Sequence, residues 1–259
     1  MIPYFRIIQF DIGPIPIRIW GLMVALGVVA AIVLSVIEAK RRGVPREDII
    51  DLAFWGILGS MIGGRLLYVA LEFSSYADSL IDVFKVWEGG MSIIGGFIGA
   101  FTAGWFYLRH KKKDFLTYSD IIIFGLPVGL WIGRLGCFFV YDHPGTPTSF
   151  FLGQEYIDGI VRHNHGLYLS LSGLLLMILF LVIWRIKADR KPGFYTALFL
   201  VWYGIVRFIL DFFRATDLEA VDTRYAGLTM PQYAAIGMVV IGLGLWYYLY
   251  RYSPKNKKA

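Results

Sequence analysis

The chain has 259 residues, of which 57% are hydrophobic and only 17% charged, with a mean hydropathy of +0.61. A water-soluble domain of this length needs far more charge on its surface, so composition excludes the soluble classes and indicates an integral membrane protein. The net charge of +6 does not imply a nucleic-acid partner, because the basic residues fall in short clusters between apolar runs, as membrane topology requires. The single cysteine excludes an internal disulfide and a cysteine-rich metal site.

Met1 to Arg18 carries Pro3, Pro14 and Pro16 and lacks the order of a cleavable signal; it is expected to lie along the membrane surface. Apolar runs near the ~20 residues that span a bilayer follow in succession, without the alternation of a membrane β-barrel. The predicted spans are Ile19 to Ile37, Leu52 to Leu71, Gly90 to Leu108, Ile121 to Val140, Gly166 to Trp184, Gly193 to Phe213 and Met230 to Tyr250. The longest loop, Tyr141 to His165, is rich in Pro, Gly and polar residues and is a candidate substrate cap.

Four clusters of four Lys or Arg hold sixteen of the 25 basic residues. They are Lys40-Arg41-Arg42 with Arg46, Arg109 with Lys111-Lys112-Lys113, Arg185 with Lys187, Arg190 and Lys191, and Arg251 with Lys255, Lys257 and Lys258. They fall on alternate ends of the spans. The positive-inside rule puts them in the cytoplasm, which seven spans satisfy with the N-terminus outside and the C-terminus inside. The expected fold is therefore an all-α, polytopic membrane protein of about seven transmembrane helices, one integral membrane domain over 1–259. Glycines recur at four-residue spacing (Gly59 and Gly63; Gly95 and Gly99; Gly125, Gly129 and Gly133), a pattern that lets helices approach closely in lipid.

Charges inside apolar segments are costly and are usually paired or functional. Arg65 shares a helix face with Tyr68 and Glu72, and pairing with Glu72 is its simplest explanation. Arg207 and Asp211 stand at i, i+4, with Tyr203 one turn before and Arg214 at i+3 from the acid. Arg134 has no acid at helical spacing within its own span, which favours a partner from elsewhere or an anionic ligand. Asp142, His143, His163 and His165 gather in or beside the outer loop. His163-Asn-His165 has a spacing that a metal could use, but satisfied loop histidines explain it as well, and no metal is assigned. Cys137 reads as a small buried apolar residue, and His110 as part of a basic topogenic patch.

Several segments together resemble the prolipoprotein diacylglyceryl transferase family. Trp20-Gly-Leu-Met23 looks like its Tyr-Gly-Leu-Met element, and Gly63-Gly-Arg65-Leu-Leu-Tyr68 its Gly-Gly-Arg segment. Val86-Trp-Glu-Gly-Gly-Met-Ser92 before Gly95-Gly96 is similar to its Trp-(Asp/Glu)-Gly-Gly-Met-Ser motif. Gly133-Arg134-Leu-Gly136 resembles the core of its signature, Arg162-His163 with Leu167-Tyr168 its Arg-His-Pro-Ser-Gln-Leu-Tyr. Tyr203-Gly204, Arg207 and Asp211-Phe-Phe-Arg214 up to Asp217 resemble its sixth-span pattern. Ile94 stands where the family has His, Cys137 where it has Asn, Asp142 where it has Glu, and Asn164-His165-Gly166 where it has Pro-Ser-Gln.

The resemblance implies transfer of the diacylglyceryl group of phosphatidylglycerol to the lipobox cysteine thiol of a preprolipoprotein signal peptide, releasing glycerol phosphate. It implies an inner-membrane, multi-pass enzyme in bacteria, active at the periplasmic leaflet among membrane lipids, with no cofactor. Such chemistry needs cations for the leaving phosphate and a group that favours thiolate. Arg134 and Arg207 are the candidates for the first. His143 or His165, oriented by Asp142, are candidates for the second, with a His165–Asp142 dyad preferred because sequence neighbours do not easily face each other. Arg65, Arg214, Asp211 and His163 complete the expected substrate-binding set. The alternative is a phospholipid-binding or lipid-moving membrane protein on the same scaffold, without transferase activity.

Overall fold

The computed structural model describes residues 1–73, 76, 80–85, 89–186, 190–218 and 222–251. Val86, Trp87 and Glu88 of the motif above, and the charged residues Lys187, Lys255, Lys257 and Lys258, lie outside the described residues. Within them the chain forms seven long helices: α1 (Ile19–Arg41), α2 (Arg46–Leu71), α3 (Ile93–His110), α4 (Phe115–Val140), α5 (His165–Arg185), α6 (Phe194–Leu210) and α7 (Met230–Arg251). Among the described residues, six are long and apolar enough to cross a membrane. One of them is α6 taken together with the 3₁₀ turn that follows it, to Phe213, and the exception is α3, which ends in Arg109 and His110. The chain is an all-α polytopic membrane protein. Both α2 and α4 begin six residues earlier than the apolar runs alone indicate, because backbone hydrogen bonding continues into polar turns that hydropathy does not mark, whereas α3 begins three residues later.

The helix ends have local causes. Ser92 accepts from the Gly95 N–H and Asn164 from the Leu167 N–H, at 3.3 and 2.9 Å, capping α3 and α5. Thr229 and Gln232 form a reciprocal box at the start of α7, the Gln232 side chain accepting from the Thr229 N–H at 2.9 Å. At the end of α4 the non-glycine residue Tyr141 takes the left-handed conformation, φ 50°. Its N–H still donates to the Cys137 carbonyl at 2.9 Å, so the chain turns back at once after the helix. Buried Tyr141 is held there by its hydroxyl, which donates to the Gln154 carbonyl at 3.0 Å.

The described chain groups into two compact units, 1–35 with 119–259, and 36–118. In the first, α5 lies tight against α4: a Cβ on Gly173 would meet the Trp131 backbone nitrogen at 2.8 Å, and one on Gly166 the Phe138 nitrogen at 2.6 Å. Gly27 and Gly129 bring α1 onto α4 in the same way. Phe124, Leu176, Phe180, Tyr195 and Phe199 form the buried core of this unit. The N-terminal segment forms a hairpin, β1 (Gln9–Ile12) with β2 (Ile15–Arg18). The long loop between α4 and α5 is not irregular. It carries β3 (Pro144–Pro147), β4 (Gln154–Glu155) and β5 (Val161–Asn164) in the order β3-β5-β4. In the second unit α2 and α3 close on each other through Gly59, Gly63, Gly95 and Gly99; a Cβ on Gly99 would fall 2.0 Å from the Gly59 carbonyl oxygen.

Candidate active site

Arg134 lies in the last two turns of α4. Its Nη1 points to the Cys137 sulfur, 3.7 Å away, and among the described residues no carboxylate lies within 4 Å of it. The Tyr203 phenol on α6 is an electrostatic neighbour of both Arg134 and Arg207, and the two guanidinium groups act on each other through space. The two candidate phosphate-binding arginines, on separate helices, are thus within electrostatic range of each other and of one phenol.

Arg207 is paired along its own helix. Its Nη2 is 3.1 Å from Oδ1 of Asp211, which begins the short 3₁₀ turn Asp211–Phe213 after α6. Asp211 has no exposed surface. Its Oδ1 also faces Arg214 at 3.8 Å, its Oδ2 accepts from the Thr229 hydroxyl, and Arg214 Nε reaches Asp222 at 2.5 Å. The strand β3 is docked onto this turn: a Cβ on Gly145 would meet the Phe213 carbonyl oxygen at 2.5 Å, and the Ala215 N–H donates to the Pro144 carbonyl at 3.3 Å.

The histidines depart from expectation. The structure pairs His143, not His165, with Asp142: Nδ1 and Oδ1 are 2.5 Å apart. The left-handed turn at Tyr141 makes neighbours face each other, which regular geometry would forbid. His165 is the first residue of α5 and is buried beside Arg207, Arg214 and Asp211, with neither ring nitrogen in a sound hydrogen bond. His163 donates to or accepts from the Tyr168 hydroxyl at 2.9 Å and packs on Phe150 and Phe213; partial burial lowers its pKa. It is a satisfied loop histidine.

Arg65 also differs. It is buried in the second unit and donates to the carbonyls of Asp82, Val83, Gly89 and Gly90 at 2.6, 2.7, 2.6 and 2.9 Å, with Tyr76 beneath it. It holds a loop against α2 instead of pairing with Glu72, because carbonyls in an apolar setting need donors as much as an acid does. Ile94, at the family's His position, is an exposed apolar side chain on α3.

Two features escaped the sequence reading. Arg162 on β5 is almost wholly buried and clasps Asp217 through both Nη atoms at 2.9 Å, and Asp158 at 2.9 Å. The Arg-His motif and Asp217 were both in the resemblance, but nothing local linked them. The buried Cys137 sulfur and donor atoms of Asp142 and His143 lie within 4.8 Å of one another. Asp142 also borders a cavity of about 500 Å³ whose wall includes Tyr4, Arg6, Pro144, Tyr156 and Ile157.

The chain is similar to known proteins over nearly its whole length. The family model described as prolipoprotein diacylglyceryl transferase matches residues 7–248. A phosphatidylglycerol–prolipoprotein diacylglyceryl transferase of Nitrosomonas europaea is 35% identical, covering 99% of this chain and 94% of the relative. Proteins of the same name from Pseudoalteromonas atlantica and Pseudomonas fluorescens are each 33% identical, over 99% and 100% of this chain and 96% and 100% of theirs.

Proposed function

Because the chain belongs to the prolipoprotein diacylglyceryl transferase family, we propose that it transfers the diacylglyceryl group of phosphatidylglycerol to the lipobox cysteine of a preprolipoprotein. The observation that carries this reading is Arg134: a guanidinium on a membrane helix, without a carboxylate, beside Tyr203 and Arg207. A cation in that setting demands an anion, and a phosphodiester supplies one negative charge with the oxygen geometry that a guanidinium fork fits. Arg207, fixed by Asp211, is the second donor. His165, buried among these charges, is read as a headgroup contact, with Arg214 and Asp211 as the frame.

In the reaction the acceptor sulfur attacks the glycerol carbon that bears the phosphate. The C–S bond forms as the C–O bond breaks, and the bonding pair stays on the phosphate oxygen. Arg134 and Arg207 stabilise that developing charge more strongly than the diester they bind first, which is what accelerates the step. Loss of the thiol proton is favoured by the positive charge of the Arg134 and Arg207 guanidinium groups. The sidedness of the basic clusters supports an inner-membrane protein of bacteria with this site at the periplasmic leaflet.

The test is purified protein in phosphatidylglycerol nanodiscs with a lipobox peptide. The expected result is a peptide heavier by one diacylglyceryl group, with equimolar glycerol phosphate. Lipid bound without either product would instead make this a phospholipid-binding scaffold.

A further inference from the structure

The family's histidine is replaced here by an exposed isoleucine, Ile94, while a thiol where the family has an amide, a shorter carboxylate where it has Glu, and the imidazole of His143 lie close together, the thiol 3.7 Å from Arg134. We propose that Cys137, Asp142 and His143 are the three protein ligands of a zinc-type divalent metal, whose open fourth position takes the acceptor cysteine as thiolate. This rests on the transferase reading above for its substrate, but the metal site stands on its own geometry.

The donor set has the right composition. Catalytic zinc keeps three protein ligands from Cys, His and carboxylate, with a fourth position open, and a thiolate among them selects soft metals over magnesium or calcium. The donor atoms lie within 4.8 Å of one another. Metal–ligand bonds of about 2.0–2.3 Å set tetrahedral ligands roughly 3.3–3.7 Å apart, so closure needs shifts of about 1 Å. Asp142 and His143 have the freedom for it, with side chains 32% and 36% exposed. Cys137 is fixed on α4, pressed by the Gly166 backbone of α5. One rigid ligand and two mobile ones on a turn form a site that a metal can close.

The charges also fit. A dication with the Cys137 thiolate, the Asp142 carboxylate and a neutral imidazole is formally neutral. Adding the acceptor thiolate leaves one negative charge, and the Arg134 guanidinium stands 3.7 Å from the Cys137 sulfur. A coordinated thiol is deprotonated outright. The acceptor S–H proton therefore goes to solvent on binding, the metal-held sulfur lone pair forms the C–S bond, and the C–O electron pair leaves with glycerol phosphate. The cavity bordered by Asp142 supplies an approach for the acceptor segment.

Full-length protein, purified with a histidine-free tag and stripped of metal, is titrated with Co²⁺ as the probe. The expected result is one ion per chain with an intense thiolate-to-cobalt absorption band. That band strengthens when a lipobox peptide is added and does not change with its Cys→Ser counterpart. Cys137→Ser should abolish the band and weaken Zn²⁺ binding by more than the roughly 10–100-fold that even outer-sphere partners contribute. The wild-type titration is decisive by itself, so a variant that fails to fold leaves the test intact. Cobalt uptake without a thiolate band, or a band indifferent to the peptide thiol, overturns the proposal. Transfer that continues undiminished in metal-free protein also overturns it while leaving the transferase reading in place. A peptide-responsive band in protein that makes no lipidated product would confirm the metal site and sink the transferase reading instead.

Discussion

Asp211 has no solvent contact, yet two guanidinium groups and a hydroxyl converge on it. Breaking a buried ion pair by removing one member costs about 3–5 kcal/mol, because the other charge is left uncompensated. Asp211→Asn is therefore expected to lower the thermal unfolding midpoint in detergent sharply, and adding Arg207→Gln should recover part of that loss. Arg134 behaves differently, since it holds no carboxylate. Arg134→Lys keeps the charge but loses the planar fork; transfer is expected to fall on the order of 10²–10³-fold with little change in stability, measured as product release alongside thermal unfolding. This asymmetry between the two arginines was legible in the sequence, because helical spacing offers an acid to Arg207 and none to Arg134. The Asp142–His143 pair was not legible, because it depends on one left-handed residue, Tyr141, that no local pattern announces. His165 was equally hidden: an imidazole opening a helix reads as a loop residue until the helices that bury it are in place.

At the level of elements, equal sequence spacing has unequal consequences. Gly99 and Gly133 each belong to a four-residue glycine series, but a Cβ on Gly99 collides with the Gly59 carbonyl at 2.0 Å, whereas one on Gly133 meets nothing within 4 Å. Gly99→Ala must push α2 and α3 apart and is expected to destabilise the protein by about 1–3 kcal/mol. Gly133→Ala is expected to be neutral or stabilising by up to about 1 kcal/mol through helix propensity. Unfolding of the two variants in the same detergent distinguishes them. The three-stranded sheet between α4 and α5 is tied by charge. Arg162 beside Asp217 lowers that carboxyl's pKa, and at Asp158 the Ile160 N–H does so first, with Arg162 adding to it. A depressed carboxyl pKa contributes stability above its unfolded value, near 3.8, and loses it as pH falls through the lower folded value. The difference in unfolding midpoint between wild type and Asp217→Asn should hold steady above about pH 5 and shrink below about pH 4. The helices themselves were readable from apolar length, but this sheet was not, since its strands are two to four residues long and its alignment is set by Arg162 and by the docking of Gly145, not by alternation.

For the whole molecule, the decisive quantity is how many helices cross the membrane. Basic residues stand in the last turns of α1, α3, α5 and α7, and the last turns of α2 and α4 have none. Seven crossings put all four clusters in the cytoplasm, and with them the C-terminus, while the Asp142–His143 turn faces outward. Yet α3 is not among the six helices long and apolar enough to cross a membrane. At 1.5 Å per residue its 18 residues reach about 27 Å, close to the ~30 Å of the hydrocarbon core, and a short span is accommodated by local thinning or by snorkelling of Arg109. If α3 stayed on one face, everything from Lys111 to the C-terminus would be inverted. The basic loop after α3 would then lie outside, and so would that after α5, against the positive-inside rule. Two cysteines in a Cys137→Ser background decide between these arrangements: Glu155→Cys in the outer sheet and Lys112→Cys in the basic loop. With seven crossings a membrane-impermeant maleimide labels position 155 in intact spheroplasts and position 112 only after lysis; with six the pattern reverses, and the proposed site would open to the cytoplasm.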